Sequence, residues 1–105
     1  MLKGVVLTRM ERLDDAVKAY RDLIDIDAAN AEAHNNLGLI YLEQGKLRDA
    51  SNELATAVRC KPDYAAAHYN YSLALRKAGD GVRADAELQE AYRLAPQLRT
   101  ASAQP

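Results

Sequence analysis

The sequence contains no tryptophan, no phenylalanine and a single cysteine, Cys60. One thiol allows no intrachain disulfide and no zinc site built from cysteine alone. Glycine and proline are scarce, at five and three among 105 residues, and β-branched residues are sparse. Neither charge sign prevails, with 14 Lys and Arg against 15 Asp and Glu. Association with nucleic acid or an anionic membrane draws on many uncompensated cations, so neither partner is expected. Long hydrophobic runs are missing too. Val5-Val6-Leu7 is one of the short runs present, far below the roughly 20 apolar residues of a membrane span. No apolar h-region follows Lys3, so a secretory signal is not expected and the chain reads as cytoplasmic.

What is present is heavy use of Ala, Leu, Glu, Arg and Lys. These residues lose little rotamer freedom in a helix, and the expected class is all-α. The length fits one domain, whose core alone would be modest.

An internal repeat resolves how such a chain builds a core. Residues 31–64 and 65–98 align at an offset of 34 residues with 12 identical columns, among them His34/His68, Asn36/Asn70, Leu39/Leu73, Gly45/Gly79, Ala50/Ala84, Leu54/Leu88 and Pro62/Pro96. The same register places Gly4 under Gly38, Leu7 under Tyr41, Ala16 under Ala50 and Leu23 under Ala57. Residues 1–30 therefore read as a third, more divergent unit lacking its first four positions, and residues 99–105 as a flexible tail.

Within a unit the apolar spacing is helical with a central break. Ala33, Leu37, Ile40 and Tyr41 share one face. Gln44-Gly45-Lys46 interrupts the pattern, with glycine able to take the left-handed conformation that ends a helix. A second helix follows through Ala50, Leu54, Ala57 and Val58, and Pro62 stops it. Asn30 and Asp63 are placed to cap the helices starting near Ala31 and Ala65. Each unit is expected to be helix, turn, helix, turn. Gly38 (Ser72 in the next unit) and Ala50 fall where the two antiparallel helices approach most closely, with Leu37, Tyr41 and Leu54 filling the space between them.

The period of 34 with His34, Leu37, Gly38, Tyr41, Ala50, Leu54, Ala57 and Pro62 resembles the tetratricopeptide repeat. Ser72, Leu75 and Gly81 depart from the preferred Gly, Tyr and large apolar residue, and Ala28 stands where Pro is expected. The resemblance implies a right-handed α-α superhelix of stacked antiparallel helix pairs, about three repeats over residues 1–98, with the first helix of each unit lining a concave face. The concave candidates are then Glu32, Asn35, Asn36, Leu39, Leu42 and Glu43 in the second unit and Ala66, Tyr69, Asn70, Leu73, Arg76 and Lys77 in the third. In the first unit they are Leu2, Val5, Thr8 and Arg9.

Asn36 and Asn70 are the most suggestive pair. An Asn side chain offers one acceptor and two donors, so it can bond the carbonyl and the amide of an extended peptide whatever its sequence. The arrangement is similar to the asparagine ladder of superhelical tetratricopeptide domains such as those of O-linked N-acetylglucosamine transferases. Solvation, or a tie between neighbouring helices, is the plainer role for the same residues. The family's carboxylate clamp does not transfer: Ala66 and Asn70 occupy places where that clamp carries Lys and Arg, and capturing a carboxylate needs charge-assisted donors.

His34 and His68 invite a metal reading, yet no further ligand is apparent, and the resemblance puts both where an aromatic residue packs inside the unit. Structural histidine is the expectation, with no metal and no cofactor. Cys60 reads as a small packing residue near a helix end. No His or Asp is placed to make it a nucleophile, and Gly79-Asp80-Gly81 is too short for a phosphate loop. The expected function is a non-enzymatic interaction module that binds a peptide segment or partner protein in the groove. Two alternatives accompany it: self-association through incompletely covered terminal helices, and substrate recruitment as a fragment of a larger protein.

Overall fold

The computed structural model describes residues 2–99, with side chains from residue 11 onward. Five helices succeed one another: α1 (Leu2–Ile26), α2 (Ala31–Glu43), α3 (Leu47–Cys60), α4 (Ala65–Lys77) and α5 (Gly81–Leu94). A further helical turn at 97–99 follows Pro96. No strand occurs among the described residues. The helix pairs α2/α3 and α4/α5 are antiparallel hairpins; α3 packs on α4, α1 packs on α2, and α2 also touches α4. That sequence of neighbours is the stacked superhelix expected of a repeat array.

Both hairpin turns use the same device. Gly45 (φ +78°) and Gly79 (φ +91°) adopt the left-handed conformation. Each turn closes with the paired bonds of a Schellman motif: Gly45 N–H to Leu42 C=O (3.0 Å) with Lys46 N–H to Tyr41 C=O (2.9 Å), and Gly79 N–H to Arg76 C=O (3.1 Å) with Asp80 N–H to Leu75 C=O (2.9 Å). The helix starts are less uniform. Asn30 caps α2 as expected, its side chain accepting from Ala33 N–H at 3.0 Å. Asp63 does not cap α4. The cap position belongs to Tyr64, one residue later and in register with Asn30, and it makes no side-chain cap bond. Asp80 caps α5 instead, accepting from Arg83 N–H at 3.2 Å.

The first unit departs from the expected hairpin. In register with Gly45 stands Glu11, and a left-handed conformation there would cost an L-residue roughly 1–2 kcal/mol. No turn forms, and α1 runs unbroken for 25 residues. Its later part serves as the second helix of a unit. Val17, Tyr20 and Ile24 pack against the core, Arg21 donates to the Tyr41 hydroxyl, and Gln44 Nε2 donates to Asp14 Oδ1 at 3.3 Å. The side chains of Leu2, Val5, Thr8 and Arg9, expected on the concave side, lie outside the described ones, as does most of the expected tail 99–105.

The core itself follows the expected pattern. Leu37, Tyr41, Ala50, Leu54, Tyr71, Ala74, Leu75 and Ala84 form one buried cluster. Leu37 and Leu54 are wholly enclosed, and complete burial of a leucine contributes about 1.5–3 kcal/mol. The glycine opposite Leu54 is a steric requirement, because a Cβ on Gly38 would stand 2.6 Å from Leu54 Cγ. In the next hairpin Ser72 occupies that position, and Leu88, the counterpart of Leu54, remains half-buried. The Ser72 hydroxyl is satisfied by donating to the Tyr69 carbonyl at 2.6 Å.

Candidate functional site

The two stacked first helices, α2 and α4, place the concave candidates side by side. Leu39 is 38% exposed, whereas most apolar side chains of α2 are buried. Leu73, its counterpart on α4, is half-buried. Glu32, Glu43, Ala66 and Lys77 are exposed, and Tyr69 is half-buried. Two of the α2 candidates turn inward: Leu42 packs against the core, and Asn35 is buried.

The asparagines divide into two roles. Asn35 is only 4% exposed. Its Oδ1 accepts from Asn70 Nδ2 at 3.0 Å, and its Nδ2 donates to the Tyr64 hydroxyl at 3.4 Å. This relay joins α2, α4 and the residue that opens α4. Asn35 is therefore enclosed rather than presented to a ligand, and one Asn70 donor is engaged in holding the stack together. Asn36 differs: it is half-buried, and its side chain has no hydrogen-bond partner among the described residues. The expected ladder pair Asn36 and Asn70 is thus unequal among the described residues, with one amide unbonded and the other partly engaged.

Charge around the site is likewise partly committed. Arg76 donates to Asp85 of α5 at 2.6 Å, which leaves Lys77 as the concave cation with no such tie among the described residues. Burial, aided by the negative charge of Glu32, pushes the Tyr64 phenol above its ordinary value of 10.0, while the Asn35 hydrogen bond acts in the opposite sense.

The two histidines form matched clasps behind this face. His34 Nδ1 bonds Glu53 Oε1 at 2.7 Å and Nε2 bonds the Ala28 carbonyl at 2.8 Å. His68 Nδ1 bonds Glu87 Oε1 at 2.7 Å and Nε2 bonds the Pro62 carbonyl at 2.8 Å. Each ring ties the first helix of a hairpin to the second and to the preceding loop, as expected of structural histidines. Sequence reasoning missed the partners, although the identity of Glu53 and Glu87 across the repeat was the available signal. No group of metal-ligating side chains assembles among the described residues.

Cys60 corrects an expectation, for it is exposed rather than packed. It ends α3 and borders an open hollow of about 400 Å³ together with Lys61, Asp27, Asn30 and Glu32. No helix of the described residues is long and apolar enough to cross a membrane.

Known proteins place these features in context. A profile described as TPR repeat matches residues 4–45, and one described as tetratricopeptide repeat matches residues 36–99. A curated relative, protein O-mannosyl-transferase Tmtc3 of Drosophila melanogaster, is 32% identical over 76 residues; the match spans 70% of this chain and 8% of that protein. Among solved structures, the second TPR of Spaghetti bound to an HSP90 peptide superposes with a TM-score of 0.77 at 22% identity, covering 88% of this chain and 85% of that one. The O-GlcNAc transferase of Thermobaculum terrenum gives 0.74 at 30% identity, covering 85% of this chain and 18% of that one.

Proposed function

This chain belongs to the tetratricopeptide repeat family, and from that premise we propose that it is a non-catalytic interaction module whose α2–α4 face holds an extended segment of a partner protein. The observation that carries the reading is the open amide of Asn36 beside the exposed Leu39. An apolar side chain left in solvent next to a polar group without a bond among the described residues fits a groove with apolar walls and a few polar anchors. Asn36 supplies a donor and an acceptor to a peptide backbone. The free lone pair and second N–H of Asn70 extend that contact, while Leu39, Leu73 and Tyr69 meet apolar side chains of the ligand. Glu43 and Lys77 bias its charge pattern at the end of the groove. The peptide-bound Spaghetti domain, of closely similar fold, supports a peptide as the class of ligand.

Each neutral hydrogen bond contributes about 1 kcal/mol net, so a groove this short gives roughly micromolar affinity. The test is calorimetric titration of a library-selected extended peptide. Asn36→Ala and Leu39→Asp should each weaken binding about tenfold, a change of about 1.4 kcal/mol, whereas Arg59→Ala on α3 should leave it unchanged. Equal affinity of all three variants would reject the groove.

A second reading is favoured by the matched lengths. The chain spans 8% of one transferase and 18% of another, so the same groove would recruit a protein substrate as one segment of a larger enzyme. Measuring substrate capture by that whole protein with Asn36→Ala in place distinguishes recruitment from a free-standing adaptor.

A further inference from the structure

The second helices of the two complete hairpins each carry a stripe that is covered by the first helix of the same hairpin. In α3 it is Ala50, Leu54 and Ala57, all 0% exposed. In α5 it is Ala84, Leu88 and Ala91, with both alanines at 0%. The register assigns the same stripe of α1 to Ala16, Tyr20 and Leu23. There it is only partly covered: Ala16 and Tyr20 are half-buried, Tyr20 with one side against the core, and Leu23 is 44% exposed. Among the described residues α1 packs on α2 alone. The helix that would cover the stripe does exist in the chain, as the segment 2–10. It continues into the rest of α1 without a break, and one unbroken helix cannot fold back onto itself.

We propose that two copies of the chain associate through α1, the segment 2–10 of each lying antiparallel against Ala16, Tyr20 and Leu23 of the other. Three observations select a second copy as the occupant. The register that sets Gly38 against Leu54 sets Gly4 against Tyr20, so the bulkier knob meets a residue without a side chain. The contact is self-complementary about Arg12, midway between positions 4 and 20, as an isologous two-fold interface requires. Charge agrees as well. Residues 2–12 carry Lys3, Arg9 and Arg12 against Glu11, while residues 13–26 carry Asp14, Asp15, Asp22 and Asp25 against Lys18 and Arg21. Antiparallel pairing brings the basic half of each helix beside the acidic half of its partner. The arrangement is an exchange of equivalent helices between hairpins, made possible because Glu11 occupies the position of the turn glycine.

Sedimentation equilibrium of the 105-residue chain tests this. A dimer is expected at concentrations of tens of micromolar. Replacing Met10-Glu11-Arg12 by the turn sequence of the second unit (M10Q/E11G/R12K) should close an intramolecular hairpin and weaken dimerisation at least about tenfold, with helical circular dichroism retained. Leu23→Asp, at an exposed position and so harmless to folding, should also abolish the dimer, and Val82→Asp at the far end of the stack should not. A native chain that stays monomeric at hundreds of micromolar overturns the proposal. So does a dimer indifferent to the turn graft, or one disrupted by Val82→Asp.

Discussion

The side-chain amide of Asn70 donates to Asn35 Oδ1 at 3.0 Å, although the two residues hold different positions in the repeat. Asn70 is the counterpart of Asn36, and Asn35 is the counterpart of Tyr69. The tie between neighbouring units therefore rests on an asymmetric pair, and it separates asparagines that build the stack, Asn35 and Asn70, from Asn36, whose side chain has no bond among the described residues.

Removing the buried partner should cost more than removing the open one. Asn35→Ala leaves Asn70 and the Tyr64 hydroxyl without a bond and is expected to destabilise the chain by about 1–3 kcal/mol. Asn36→Ala should stay within about 0.5 kcal/mol of the native chain. Urea unfolding monitored by circular dichroism compares the two.

The hairpin contact at Gly38 predicts a second asymmetry. Gly38→Ala places a Cβ 2.6 Å from Leu54 Cγ in a fully packed site. Overpacking of this kind costs about 1–3 kcal/mol, so thermal unfolding should shift downward. Ser72→Ala, at the equivalent position, adds no atoms where the fold already accepts a side chain and should change the midpoint little.

The histidine clasps should behave as independent units. Glu53→Ala deprives the buried His34 Nδ1 of its acceptor, and Glu87→Ala does the same to His68. Each is expected to cost about 1–3 kcal/mol. The two clasps share no residue, so the double variant should be additive within about 0.5 kcal/mol. A larger deviation in chemical unfolding would show that the hairpins are coupled through the stack.

Tyr64 predicts an alkaline weakness. Its phenol is held above 10.0 in the folded chain, chiefly by burial. Folding therefore opposes its ionisation. The associated stability is fully present below the unfolded value and is lost as pH rises through the folded one. Tyr64→Phe should reduce the steepness of that decline, as read from urea midpoints on the alkaline side of pH 10.0. The native phenol should also titrate late by ultraviolet absorbance.

Legibility differed between the fold and the site. The hairpins α2/α3 and α4/α5 were readable because apolar residues at three- and four-residue steps, a glycine at each turn and a proline after each second helix all point to one local answer. The concave face was readable only as a helix face. Leu42 lies on that face by spacing yet packs inward, and Arg76 lies on it yet pairs with Asp85 of α5. Neither outcome follows from the pattern of one helix, because each depends on what a second helix brings alongside. The same holds for Asn35, whose partners Tyr64 and Asn70 are 29 and 35 residues away.

The amino-acid order alone determined the period of 34, the all-helical class and the positions of the turns that use Gly45 and Gly79. These depend on local conformational preference and on apolar spacing, both written along the chain. The tertiary structure decided which polar groups the stack consumes, and it decided that α1 runs unbroken. At position 11 a glutamate stands where each complete hairpin has its turn glycine, so a reversal there would set a left-handed backbone cost against the burial a hairpin brings, and α1 continues unbroken. That balance between local backbone and distant surface is settled only when the helices meet.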